Sequence, residues 1–298
     1  MEDRDRLIRR IKKLRLATGI PAGGLRSGAH ASIFRGQGIE FAEIREYVPG
    51  DDIRSIDWNV TARYSHPFVR EYTEDRDQTF IFMADISASG TFGSETTKRQ
   101  KILELVAGLG FAALENNDRI GLCLFSDRVE KFIPAHHGRR HLFRILDSLI
   151  SHRPVSCTTD IGAAARFLAT ALRRRSSVII LSDFISQDFL FPLRVLHRRH
   201  EVIAIRITDP RELEIPDVGF IALEDPETGE QVIADTSDAG FRERYRVLAL
   251  EDETALHHDL ARHRISGLTL MTGEDSEVPL NRFFRGISAR RQRHAGIH

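Results

Sequence analysis

From Thr79 onward, short apolar runs alternate with longer stretches of helical period, and few architectures accommodate that alternation. TFIFMAD (79–85) is a continuous apolar run of the kind buried on both faces of a parallel sheet. KRQKILELVAGLGFAALENN has helical period and stops at Asn116-Asn117. RIGLCLFS follows as a strand, with VEKFIPA as its hairpin partner. GRRHLFRILDSLIS and DIGAAARFLATALRRR are expected as helices and SVIILSD as a strand. QDFLFPLRVLHRR is expected as a helix that tolerates Pro192 in its first turns, and EVIAIRI as the strand after it. VGFIALEDPETGEQVIAD fits a hairpin turning at Pro226–Gly229, and a long helix over about 238–263 with a last strand, GLTLMTG, completes the sheet. The β-α-β-α order predicts an α/β fold: a doubly wound, mostly parallel central sheet with helices on both faces.

Four segments are expected. Residues 1–20 hold a basic amphipathic helix, with Leu7, Ile11 and Leu14 on one face of RLIRRIKKLRL. Residues 21–78 form a small, irregular, partly β segment around the turn VPGDD. Residues 79–275 are the α/β domain, and residues 276–298 a basic tail carrying Arg282, Arg285, Arg290, Arg291 and Arg293. The formal net charge of zero gives no global attraction to nucleic acid, so none is expected as a partner. No apolar run approaches the ~20 residues of a membrane span, so membrane contact is expected to be at most peripheral. The two cysteines, Cys123 and Cys157, lack metal or redox spacing, which fits free thiols in a reducing, cytoplasmic setting.

The first strand ends in Asp85, with Ser87 and Ser89 two and four residues on. Asp183 closes VIILSD in the same way, and Thr158 and Thr159 open the helix after SCTT. In open α/β sheets, ligands sit beyond the carboxyl ends of the strands, which is where these oxygens are expected to gather. A donor set of hydroxyls and carboxylates without clustered His or Cys suits Mg²⁺, Mn²⁺ or Ca²⁺ and not zinc. A site of this kind completed by a partner's carboxylate is an adhesion device. The plainer alternative makes Asp85, Ser87 and Ser89 a polar turn capping the next helix. On that view Thr158, Thr159 and Asp160 cap the helix behind them, and Asp183 is a cap or a supporting acid. The histidines at 136, 137 and 141, and at 257, 258 and 263, fit solvated helix faces better than a zinc site.

Asp85-Ile-Ser87-Ala-Ser89, followed by Thr159 and then Asp183, resembles the metal-ion-dependent adhesion site of von Willebrand factor A domains. FRGQGIEFAEIREYVPGDDIRSIDWNVTARYSHPFVREYTED (34–75) resembles the signature of the bacterial domain-of-unknown-function family 58. Together the two cover about residues 25–235. The resemblance implies a von Willebrand A-like domain binding Mg²⁺ or Mn²⁺ through Asp85, Ser87, Ser89, Thr159 and Asp183. It also implies a non-catalytic role beside a MoxR-type AAA+ ATPase and its client protein. Upstream, the charged block Arg45, Asp51, Asp52, Arg54, Asp57, Trp58 and Arg63 is either a salt-bridged structural motif or a docking surface.

Enzymatic alternatives find little footing. Neither a G-x-S-x-G elbow nor a G-x-x-x-x-G-K-[ST] loop occurs. A haloacid-dehalogenase-type phosphatase would place a second carboxylate where Ser87 stands. GLGFAA (108–113) lies mid-helix, where its glycines are expected to permit close helix–sheet packing and not to cradle a dinucleotide. The remaining catalytic alternative is a metal-dependent, phosphodiesterase-like hydrolase using Asp85 and Asp183.

Overall fold

The computed structural model describes residues 38–48, 51–52, 55–64, 66–75, 78–224, 227 and 229–295. The segment expected as an N-terminal basic helix, and Arg54, lie outside them. Two compact units are present, and residues 34–78 make up the smaller. In it, β1 (Gly38–Glu46) pairs antiparallel with β2 (Phe68–Asp75), with a bulge between Phe41 and Glu43. Helix α1 (Trp58–Tyr64) lies between them in the chain.

The larger unit follows from Thr79. Its elements are β3 (Thr79–Asp85), α2 (Lys98–Glu115), β4 (Arg119–Phe125), β5 (Val129–His136), α3 (Arg139–Ser151), α4 (Ile161–Ala171) and β6 (Ser177–Ser182). Then come α5 (Leu190–His197), β7 (Glu201–Thr208), α6 (Pro210–Leu213), β8 (Phe220–Glu224), β9 (Gln231–Asp235), α7 (Ala239–Arg262), β10 (Ser266–Met271) and α8 (Glu277–Ala295). The main sheet has the order β10-β7-β6-β3-β4-β5, parallel throughout except for the β4–β5 hairpin. This is the doubly wound α/β sheet expected.

The apolar runs are central strands because water reaches neither of their faces. Every residue of β6 is buried, as is all of β3 after Thr79. Side chains of alternating parity divide between two helical layers. Ile81, Met83, Val178 and Ile180 face Ala164, Leu168, Leu193 and Leu196 of α4 and α5. The chain leaves β3 for β4 on one side, then returns to β6 on the other. That reversal opens a crevice between the carboxyl ends of β3 and β6, where Asp85 and Asp183 stand.

Two features differ from expectation. Residues 277–295 are not a tail but helix α8, whose Leu280, Phe284 and Ile287 are buried at i, i+4 and i+7 spacing. The glycines of GLGFAA do not serve helix–sheet packing. A Cβ on Gly110 would lie 2.5 Å from Leu142 Cδ1 of α3, whereas one on Gly108 would meet nothing within 4 Å. The close approach is therefore helix to helix, and Gly110 alone permits it. The β8–β9 hairpin forms a two-stranded sheet of its own.

Candidate metal centre

Asp85 is the last residue of β3, and its carboxylate is buried among donors. Its Oδ1 accepts the Ser87 amide at 2.9 Å, and its Oδ2 accepts the Ser182 hydroxyl at 2.6 Å. A 3-10 turn at Ala88–Thr91 brings Ser87 Oγ and Ser89 Oγ within 3.0 Å of each other, both buried. The Ala88 amide donates to the Cys157 carbonyl at 3.1 Å, which ties this turn to the loop leading into Thr159. Asp183 accepts the Ile185 amide on Oδ1 at 3.2 Å and Lys98 Nζ on Oδ2 at 2.9 Å. Lys98 Nζ also reaches Glu212 Oε1 at 2.6 Å.

The capping alternative is testable bond by bond: it fails for Ser87 and Thr159 and holds for Asp160, while Asp85 and Asp183 accept the Ser87 and Ile185 amides of their own turns. Helix α2 is capped by Thr97, in a reciprocal box with Gln100. Ser87 precedes the 3-10 turn but makes no side-chain cap bond. Helix α4 is capped by Asp160, whose Oδ1 accepts the Ala163 amide at 2.7 Å. Thr159 is thereby released from that duty, and its hydroxyl donates instead to Glu227 Oε1 at 2.7 Å. Thr158 Oγ1 pairs with Ser156 Oγ at 3.2 Å on the exposed side of the loop.

Asp85, Ser87, Ser89 and Ser182 thus form one hydrogen-bonded cluster, with Asp183 beside it. Thr159 and Asp183 line a common open groove of about 1200 Å³, together with Phe191, Arg206, Glu227 and Asp252. Burial, and then the like charge of Asp183, push the Asp85 carboxyl up to about 7 against the opposing hydrogen bonds from Ser182 and Ser87. Burial alone would lower the Lys98 ammonium, but Asp183 and Glu212 outweigh it and hold the group above its ordinary value.

The donor set fits a hard divalent cation. Metal–oxygen bonds of about 2.0–2.1 Å place neighbouring ligands of an octahedral shell roughly 2.9 Å apart. The Ser87–Ser89 and Thr159–Glu227 oxygen pairs, at 3.0 and 2.7 Å, both match that edge. Among the described residues no three His, Cys, Asp or Glu side chains form a metal-binding group, so hydroxyls would have to supply much of the shell. With Asp85 ionised, the carboxylates of Asp85, Asp183 and Glu212 against the one ammonium of Lys98 leave two negative charges for a dication to offset.

Lys98, Ser182, Glu212 and Glu227 were not candidates from the sequence. Ser182 left a readable trace, because it lies one position beyond the Ala84–Leu181 pair and so beside Asp85. Lys98 left a fainter one, as a cation at the first position of a helix, where the dipole disfavours positive charge.

In the smaller unit, Arg45 grips Asp51 through two bonds of 2.7 and 2.8 Å. Arg45, followed by the Val48 amide, holds the Asp51 carboxyl down at about 2. Asp57 is buried and accepts the Asn59 and Val60 amides at 3.0 and 3.3 Å at the start of α1. The Asp52 carbonyl accepts the Ser55 amide at 2.9 Å. Trp58 is 67% exposed, and Arg63 lies in the last turn of α1.

Among known proteins, the chain is 35% identical over 231 residues to the uncharacterized protein Rv1480 of Mycobacterium tuberculosis, covering 76% of this chain and 73% of that one. BatB of Bacteroides thetaiotaomicron superposes with a TM-score of 0.46 at 15% identity, over 74% of this chain and 99% of that one. An aerotolerance-related membrane protein of Bacteroides fragilis superposes with a TM-score of 0.48 at 14% identity, over 70% and 99%. The fold reading does not rest on these partial superpositions but on the strand order above. No helix of the described residues is long and apolar enough to cross a membrane. Residues 43–255, which contain the charged block and all five candidate site residues, match the family described as protein of unknown function DUF58, and the chain belongs to that family.

Proposed function

We propose that this protein is a non-catalytic, cytoplasmic interaction module that grips an acidic side chain of a partner through Mg²⁺ or Mn²⁺. In this reading Ser87, Ser89 and Thr159 supply hydroxyl ligands, while Asp85 and Asp183 supply charge. Lys98 occupies Asp183 Oδ2, and Oδ1, which accepts the Ile185 amide, keeps a further lone pair for the cation or its water. The observation that carries the reading is the Ser87–Ser89 hydroxyl pair, 3.0 Å apart, with Ser87 making no side-chain cap bond, beside a buried carboxylate facing a like charge. Buried carboxylates in such a position are either protonated or neutralised by a cation. A dication bound there supplies an open coordination position for an outside carboxylate.

The family resemblance makes a MoxR-type AAA+ ATPase and its client the partners we propose, in assembly or maturation of a protein complex. Calorimetric titration of Mg²⁺ and Mn²⁺ into wild type and Asp85→Ala tests the metal. Binding that disappears in the variant supports the reading, whereas wild type that takes up no metal at millimolar concentration removes it. Turnover of bis(p-nitrophenyl) phosphate with Mn²⁺ is expected to be absent, and turnover lost in Asp85→Ala would favour the hydrolase alternative.

A further inference from the structure

Glu227 sits at the turn of the β8–β9 hairpin, far in sequence from the strand ends yet in contact with the site. We propose that this hairpin is the site's own ligand: Glu227 occupies the position at Thr159 that an outside acidic side chain must take, so the module at rest is closed by its own chain. The inference rests on the cation reading above.

Three observations carry it. The Thr159 hydroxyl, relieved of capping by Asp160, donates to Glu227 Oε1 at 2.7 Å, about the separation of neighbouring oxygens in an octahedral Mg²⁺ shell. A hydroxyl that donates its proton to a carboxylate keeps its lone pairs for a metal, so both oxygens suit the same ion. The hairpin is also built to be held at its base. Buried Thr236 donates its hydroxyl to the Gly219 carbonyl at 2.7 Å and accepts the Val218 amide at 3.0 Å, and Arg242 pairs with Asp217 at 3.3 Å. Five residue pairs lead from there to the turn, in a sheet separate from the main one. An isolated two-stranded hairpin is marginal by itself, so contacts at its far end help to set its position, and the Thr159–Glu227 bond is one of them. Finally, Glu227 shares one groove with Thr159, Asp183 and Arg206, so an incoming acidic segment would have to enter the space that Glu227 lines.

An acid tethered at this range acts at an effective concentration in the millimolar range or above. A partner carboxylate that brings no further contacts cannot compete with it. Selectivity would then lie in the groove, where a partner engaging more than the cation displaces the hairpin and a lone carboxylate does not.

The test titrates Mg²⁺, and then a blocked Gly-Glu-Gly tripeptide at saturating Mg²⁺, into the full chain and into Glu227→Gln. Glutamine can still accept the Thr159 hydrogen bond but carries no charge, and the position is a turn, so folding is not at stake. Loss of one anionic oxygen from the shell is expected to weaken Mg²⁺ binding about tenfold. The tripeptide is expected to bind the variant at least about tenfold more tightly than wild type, because its tethered competitor is gone. Wild-type Mg²⁺ affinity in Glu227→Gln with no gain in tripeptide binding would overturn the inference while leaving the cation reading standing. A wild type that binds no Mg²⁺ would overturn both.

Discussion

Lys98 Nζ lies 2.9 Å from Asp183 Oδ2, and the two side chains are each 3% exposed. Asp183 closes the central strand run, and Lys98 opens the helix that follows the serine turn, so this pair locks the two sides of the crevice together. Removing one partner of a buried pair leaves a charge with neither water nor counterion. Lys98→Met is therefore expected to cost about 3–5 kcal/mol in urea denaturation, with part recovered by adding Asp183→Asn. A variant that unfolds at the wild-type midpoint would show that the pair does not hold the crevice.

Asp85 yields a prediction of opposite sign. Its carboxyl has an ordinary value of 3.8 and is pushed to about 7 in the fold. Between those values the folded protein binds more protons than the unfolded chain, so without metal this group's contribution to stability falls as pH rises through the window. Above pH 7 the folded protein carries a buried charge facing Asp183, and Asn removes that charge. In EDTA at pH 8, Asp85→Asn is expected to be more stable than wild type by about 1–2 kcal/mol. Mg²⁺ should raise the wild-type melting temperature above pH 7, lose that effect below about pH 6, and leave the variant unmoved. Melting of the variant below wild type in EDTA would mean that the Ser182 and Ser87 hydrogen bonds outweigh the repulsion.

What the sequence discloses about the site follows from how local each part is. Asp85, Ser87 and Ser89 lie within five residues, and the rule that strand ends gather ligands adds Asp183 without knowledge of any contact. The structure distinguishes Thr159 from Thr158, spending Asp160 on the cap and turning Thr158 to Ser156, a difference that adjacent threonines do not show in the sequence. Lys98 and Glu227 were hidden because their partners are 85 and 68 residues away, and nothing local marks a residue for such a contact. Helix α8 was hidden for another reason. Its arginines dominate the composition, while Leu280, Phe284 and Ile287 carry the helical spacing that buries it.

Cys157 offers a reporter on the loop before Thr159. Cys123 is buried, and burial pushes its thiol up to about 12, whereas Cys157 is exposed. The chain has two cysteines, so an aromatic disulfide reagent is expected to label one thiol per native molecule quickly and the second only on unfolding. Cys157→Ser should abolish the fast phase. Because the Cys157 carbonyl accepts the Ala88 amide, metal bound at the serine turn is expected to slow labelling. Two fast thiols in the native protein would contradict the burial of β4.

His200 is expected to set an acid limit on the fold. It is 3% exposed, and neither ring nitrogen has a hydrogen-bond partner. Burial first, then Arg199 and Arg175, lower its value below the ordinary 6.5. His197 is likewise lowered by burial, although Glu201 opposes the shift. A histidine that resists protonation in the fold contributes stability that is present above the unfolded value and is lost as pH falls below it. His200→Leu, a neutral side chain closer to histidine in volume, is expected to match wild type in denaturant midpoint at pH 7.5. At pH 5.5 it should exceed wild type by the equivalent of about 1 kcal/mol, because it has nothing to protonate. Midpoints that fall equally in both proteins between those pH values would show that His200 is not the group that sets the acid limit, and His197 would be the next to replace.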